Sequence, residues 1–257
     1  MNTLLTRIRP GFFVPLLAGA RFNDRLVACL GALAGIALTS FICTGLPIAP
    51  ADLPMFVAPL GASAVLLFAV PASPLAQPWA IVGGNTVSAI VGVAVAMLVP
   101  NAWFAVGLAV GGAILAMSVL RCLHPPGGAV ALTAVMGGPS ILAAGFAFPF
   151  IPVALNSLLL VGAGWMFHRF SRHSYPHRTS DPITRREQPL AGVETDDIDA
   201  ALRELGETFD VSREDLHLLY RRAEAHALAR RKAGNPYRLS PILRAANDRR
   251  LPPEEAA

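Results

Sequence analysis

Charge is what the middle of this sequence lacks. From Leu26 to Phe167 the only formally charged residues are Asp52 and Arg121, although 15% of the 257 residues are charged overall. A water-soluble domain needs charge along each exposed face. A bilayer makes the opposite demand, because an uncompensated charge at its centre costs about 2.5–3.5 kcal/mol. A soluble fold is excluded. Cysteine is scarce too: Cys29, Cys43 and Cys122 lie in apolar stretches without metal-ligand spacing, which argues against a disulfide framework or a zinc site. The membrane part has no H-E-x-x-H, paired carboxylates, Gly-x-Ser-x-Gly or ligand cluster, so neither an enzyme nor a cofactor is expected. Residues 1–25 carry no cleavable secretory signal, leaving the first spanning helix as its own insertion signal.

What is present is apolar length. A helix needs about 20 apolar residues to span the hydrocarbon. Leu26–Pro47, Trp79–Val99, Ala102–Leu120 and Phe150–His168 reach it, with Pro152 expected in a tolerated first turn. Met55–Val70 and Pro126–Gly137 are shorter and bracketed by Pro and Gly. The expected fold is all-α: a polytopic helical membrane bundle of four long and two short segments, with a soluble helical C-terminal tail. Pro59-Leu-Gly61-Ala-Ser63 can be laid beside Pro125-Pro126-Gly127-Gly128-Ala129, giving two triplets of long, short, long. Short interrupted segments at corresponding places in two halves point to a transporter's binding site.

Arginine sets the orientation. Arg7, Arg9, Arg21 and Arg25 precede the first helix and Arg169, Arg172 and Arg178 follow the last, so both termini are expected in the cytoplasm. Six crossings follow if the short segments cross, and four if they re-enter. The expected location is a bacterial cytoplasmic (inner) membrane. The basic flanks serve orientation, with the lipid bilayer as partner and no nucleic acid. Gly31-Ala-Leu-Ala-Gly35 and Gly107-Leu-Ala-Val-Gly111 permit close helix packing and a homodimer. Trp79, Trp103 and Trp165 stand near segment ends, where the interface favours them.

The string Leu123-His124-Pro125-Pro126-Gly127-Gly128 is the most distinctive in the chain. Its prolines start a helix and its glycines leave backbone N–H groups uncovered. A helix N-terminus with free donors attracts an anion. Pro59, Gly61 and Ser63 offer the same design, with the Ser63 hydroxyl as a further donor. His124 is the ionisable group at this turn, with helix capping as its other reading. Asn85, Ser88, Asn156 and Ser157 could each line a polar path or simply bond between helices. Pro59, Gly61, Ser63, Asn85, His124, Pro125, Pro126, Gly127 and Gly128 are therefore the candidate substrate-binding residues.

Over residues 20–170 the sequence resembles the HPP family of membrane proteins, named for the tripeptide His124-Pro125-Pro126. Pro59-Leu-Gly-Ala-Ser-Ala-Val-Leu-Leu-Phe68, Pro74-Leu-Ala-Gln-Pro78, Gly83-Gly-Asn85 and Leu123-His-Pro-Pro-Gly-Gly128 carry the likeness in order. The resemblance implies a bundle usually counted as four spans, and plastid and cyanobacterial relatives are associated with nitrite transport. The tail looks like the connector that longer members place before a pair of CBS domains, but the chain ends at Ala257 with no room for them.

The expected organisation is a basic segment 1–25, a membrane domain 26–168, a linker 169–192 and a soluble helical tail 193–257. In the tail, Thr195 caps a helix that Gly206 ends, and Ser212-Arg-Glu-Asp215 opens a second. Leu216, Leu219, Tyr220 and Ala223 form its expected apolar stripe. Function is expected to be transport of a small inorganic anion, with a membrane scaffold or sensor acting through its tail as the alternative. Without buried carboxylates, cation coupling through such groups is not expected.

Overall fold

The computed structural model describes residues 22–45, 54–171, 173–178, 195–205 and 210–232. Arg7, Arg9, Arg21, Asp52, Arg172, Gly206, most of the linker and the Thr195 side chain lie outside them. The described residues are helical, without strands. They divide into two units, Met1–Arg178 and Thr179–Ala257.

The first unit contains α1 (Phe22–Gly45), α2 (Leu60–Ala69), α3 (Pro78–Leu98), α4 (Ala102–Val119), α5 (Pro126–Met136), α6 (Pro139–Ala144) and α7 (Leu155–His168). Four helices among the described residues are long and apolar enough to cross a membrane: α1, α3, α4 and the span Pro149–His168. Their outward faces carry Leu33, Phe41, Trp103 and Leu115, all exposed. A surface of that kind needs lipid.

Local chemistry sets the ends. Pro78 starts α3 at a position where a missing N–H costs nothing, and the Asn101 side chain caps α4 by accepting from the Phe104 N–H at 3.3 Å. The last span departs from expectation. Pro152 sits inside a π-helical turn, Pro149–Ala154, with Ile151 out of helical geometry at φ −131° and ψ 105°. Proline disfavours helix in the residue before it, so regular helix resumes only at Leu155.

Contacts at two ends show how the chain runs. At one end Arg25 Nη1 donates to the Ala69 carbonyl (2.9 Å), and His168 Nε2 lies 3.0 Å from the Leu67 carbonyl. There, too, Trp79 Nε1 donates to the Leu120 carbonyl (3.1 Å). At the other end the Asn156 side chain gathers Cys43, Met55 and Val57, and Val57, Val93, Ala134, Phe148 and Val153 form one apolar cluster. Residues 54–69 thus run from the second end to the first, and α5 runs from the first to the second. Counting these two short segments with the four long spans, the described residues of this unit make six passes between the two ends.

The packing is a swap. α2 lies on α1 and α7, and α5 lies on α4 and α3. α1 meets α7, α4 meets α3, α3 meets α7, and α2 meets α5. Every one of these relations survives exchange of α1, α2, α3 with α4, α5, α7. Each triplet contributes three passes, so the two triplets run in opposite directions. Pro78 and Pro149 begin corresponding spans, and each is followed seven residues later by a buried asparagine, Asn85 or Asn156.

Glycines make the close crossings, and they are not the expected ones. A Cβ on Gly84 would stand 2.6 Å from the Cys122 carbonyl, and one on Gly92 would stand 2.6 Å from the Ala131 carbonyl. Gly31 and Gly35 instead receive the Phe68 ring, while a Cβ at Gly107 or Gly111 would meet nothing within 4 Å. The α3–α5 contact is thus built on Gly84, Ser88 and Gly92.

Asn156 braces the lead-in to α2: its Oδ1 accepts from the Val57 N–H (3.1 Å) and its Nδ2 donates to the Met55 carbonyl (2.8 Å). Asn156→Leu leaves both backbone groups unmet, and a loss of about 3 kcal/mol is expected. Thermal unfolding of the detergent-purified protein reads this directly; an unchanged midpoint would show that the brace is dispensable.

The second unit holds α8 (Thr195–Leu205) and α9 (Arg213–Lys232), joined by an Arg213–Asp199 ion pair. Asp196 and Asp197 occupy the first turn of α8, where the helix dipole favours them. Ser212 Oγ accepts from the Asp215 N–H (3.1 Å) as an N-cap, and its hydroxyl donates to Asp215 Oδ2 (2.6 Å). The expected apolar stripe is only partly turned inward. Leu216 is half-buried, whereas Leu219, Tyr220 and Ala223 are exposed, because α8 is short and covers little of α9.

Candidate functional site

The distinctive tripeptide sits at a turn that is built with care. Cys122 N–H donates to the Met117 carbonyl (2.9 Å) and Arg121 N–H to the Ser118 carbonyl (3.3 Å). This pair of bonds is a Schellman motif, with Arg121 at φ 53° in the left-handed position usually given to glycine. A non-glycine residue there costs roughly 1 kcal/mol. The turn reverses the chain from α4 to α5 in a few residues and buries His124 completely.

Both nitrogens of His124 are engaged. Nδ1 lies 2.8 Å from the Leu75 carbonyl and Nε2 lies 2.8 Å from Ser63 Oγ. A carbonyl only accepts, so Nδ1 carries a hydrogen. Asn85 Nδ2 donates to Ser63 Oγ (3.3 Å) and to Ser157 Oγ (3.1 Å). With the imidazole in its neutral form, Nε2 is the acceptor at hand for the Ser63 hydrogen. The relay runs Asn85 to Ser63 to His124 inside the bundle and ends on the half-buried Leu75.

Depth follows from helical rise. Asn85 is seven residues into α3 and Ser157 is eleven residues before the end of α7, roughly 10 and 16 Å from the first end at 1.5 Å per residue. The cluster therefore extends inward from Leu75, beside the first end, to about half the depth of the bundle, where α2, α3, α7 and the start of α5 meet. Arg121 is the only charged residue among the described positions between 26 and 167, and it is exposed.

The structure brings Ser63, Asn85 and His124 together, with Gly127 beside them. A Cβ on Gly127 would lie 2.6 Å from Ser88 Oγ, so this glycine is a contact point between α5 and α3. Gly61 is exposed and Gly128 half-buried. Pro59 and Pro126 are buried at the helix starts, and Pro125 is exposed. The expected free backbone donors are engaged here. Gly127 N–H donates to the His124 carbonyl and Gly128 N–H to that of Pro125. Leu60, Gly61 and Ala62 bond likewise to Val57, Ala58 and Pro59. The prolines tighten each first turn enough for it to close on itself.

Sequence reasoning missed the Leu75 carbonyl and the role of Gly84. The spacing Gly84, Ser88, Gly92 against Gly127, Ala131 carried the second signal. The carbonyl had none, since any residue type can supply one. Beside it, Tyr175 Oη donates to the Ala76 carbonyl (3.0 Å) and His177 N–H to Gln77 Oε1 (2.9 Å). Burial pushes the Tyr175 phenol up, which keeps it a donor. The same short turn, Pro74–Ala76, thus meets the site on one residue and the segment after α7 on the next.

Two opposed helical triplets around a buried, uncharged polar cluster define an integral membrane protein of the polytopic helical class. The chain belongs to the HPP family: the family model described as "HPP, transmembrane region" matches residues 18–176. Among curated proteins it is similar to two transmembrane proteins of Dictyostelium discoideum. One is 40% identical over 131 residues, covering 49% of this chain and 46% of the relative. The other is 44% identical over 120 residues, covering 45% of this chain and 38% of the relative. The chain thus spans less than half the length of these relatives. No solved structure matches it.

Proposed function

We propose that this protein is a transporter or channel for a small inorganic anion, nitrite being the solute that the HPP resemblance implies. One observation carries the reading: a buried polar cluster without carboxylate, lysine or arginine that reaches to about half the depth of the bundle, where the two opposed triplets meet. Transporters built from such repeats hold their solute at that junction. Ser63, Asn85 and His124, with Ser88 and Ser157, are the contact residues in this reading. Pro59, Gly61, Pro125, Pro126, Gly127 and Gly128 shape the two helix starts around them. The six passes become six crossings, with Arg25, Arg169 and Arg178 toward the cytoplasm of a bacterial inner membrane.

The test is protein-dependent nitrite flux into proteoliposomes, expected at least tenfold above protein-free vesicles. Flux equal to that of empty vesicles would sink the reading. It would favour the second one, a membrane scaffold or sensor, supported by Val211, Leu219 and Tyr220 exposed on the tail.

A further inference from the structure

Two polar groups are left over at the triplet junction. Asn85 Oδ1 and Ser88 Oγ are buried without a hydrogen-bond partner, in residues 1% and 0% exposed. They stand three residues apart on α3, hence on one face, the face that Gly127 packs against. Thr86 Oγ1 is also unpartnered, but it is one residue along and off that face. The Asn85 amide cannot simply be turned over. Ser63 spends its hydrogen on His124, so it needs the NH₂ of Asn85 and would repel the carbonyl oxygen. The orphan at Asn85 is therefore an acceptor, and it needs a donor.

A bare anion brings only acceptors. Against Asn85 Oδ1 it would set lone pair on lone pair. No fixed positive charge is seen beside it: both nitrogens of His124 are used, Arg121, the charged side chain among the described positions 26–167, is exposed, and the N–H groups of Leu60, Gly61, Ala62, Gly127 and Gly128 are engaged. Burying an unpaired ion in such a place is strongly unfavourable. The donor and acceptor pattern of a small acid in its undissociated form matches instead. Its O–H donates to Asn85 Oδ1 while its other oxygen accepts from the Ser88 hydroxyl.

We propose that Asn85 and Ser88 recognise the neutral, protonated form of a small weak oxyacid, so that anion and proton cross together. This deepens the transport reading and rests on it. Asn156, at the equivalent place in the other triplet, spends its amide on backbone and on Cys43, so it offers no matching site.

The test uses the full chain in proteoliposomes with nitrite as probe, a lumenal pH dye and an imposed potassium potential. Above the acid's pKa, the protein-dependent rate at fixed total nitrite should rise about tenfold per unit fall in external pH. The lumen should acidify in step, and reversing the potential should change the rate less than twofold. Excess formate, from a weak acid, should compete, whereas nitrate, from a strong one, should not. Ser88→Ala should cut the rate several-fold without disturbing the fold. Flux that follows the potential, ignores pH or yields to nitrate would overturn the proposal and leave the transport reading standing, as would a Ser88→Ala protein with full rate. No nitrite or formate flux at any pH would remove both.

Discussion

Gly127→Val is expected to leave little folded protein, while Gly128→Val should purify and melt nearly as the parent does. The two glycines are neighbours in sequence with opposite surroundings. At Gly127 even a Cβ would lie 2.6 Å from Ser88 Oγ, 3.0 Å from Met117 Sδ and 3.1 Å from the Gly84 carbonyl. Two of these neighbours belong to α3, and one is backbone, so the helices themselves must part. Overpacking of this kind costs about 1–3 kcal/mol in an ordinary core, and a branched side chain on a helix-crossing contact sits at the top of that range or above. At Gly128 the nearest atom is Val110 Cγ1 at 3.9 Å, which is ordinary contact. Size-exclusion profiles and unfolding midpoints in detergent separate the two. Equal behaviour would mean that α3 and α5 do not cross at Gly127.

His124→Ala is expected to lower flux more than tenfold and to destabilise the bundle. It strands the Leu75 carbonyl and the Ser63 hydroxyl together, each buried polar group left unmet costing about 1–3 kcal/mol. His124→Gln separates structure from chemistry. Glutamine has one acceptor and two donors, so it can serve both neighbours without titrating. It should restore the unfolding midpoint and bring flux back within about tenfold of the parent. A stable His124→Gln protein with no flux would show that the imidazole itself takes up a proton during transport. Ser63→Ala should be milder than His124→Ala, losing one hydrogen bond of about 0.5–1.5 kcal/mol.

The long spans were legible because a run of apolar residues has no other use at that length. The two short segments were legible through Pro59 and Pro125 with their trailing glycines. The site was legible only in part. Ser63, Asn85 and His124 stood out as polar residues in an apolar stretch, and the fold joins them by hydrogen bonds. What they do to one another depends on rotamers and on the Leu75 carbonyl, which no side-chain pattern encodes. The free helix-terminus donors expected at Gly127 and Gly128 failed for a related reason. A sequence shows which N–H groups are uncovered, but not whether a tight turn folds back on them. The small-residue pairs divide: Gly31 and Gly35 pack tightly, against the Phe68 ring rather than another helix backbone, while a Cβ at Gly107 or Gly111 would meet nothing within 4 Å.

The swapped packing sets an order on synthesis. A ribosome makes α1, α2 and α3 first, yet α2 needs α7 as its second neighbour and α7 is the last helix of the bundle to leave the exit tunnel. Until it arrives, Asn85 has no Ser157 and the lead-in to α2 has no Asn156. Polar groups in the newborn first triplet must therefore wait in the membrane, or in whatever shelters nascent helices there. Neither triplet is a finished object when it is made. The membrane half closes around its last helix, so stability and correct insertion should appear together, late, and all at once.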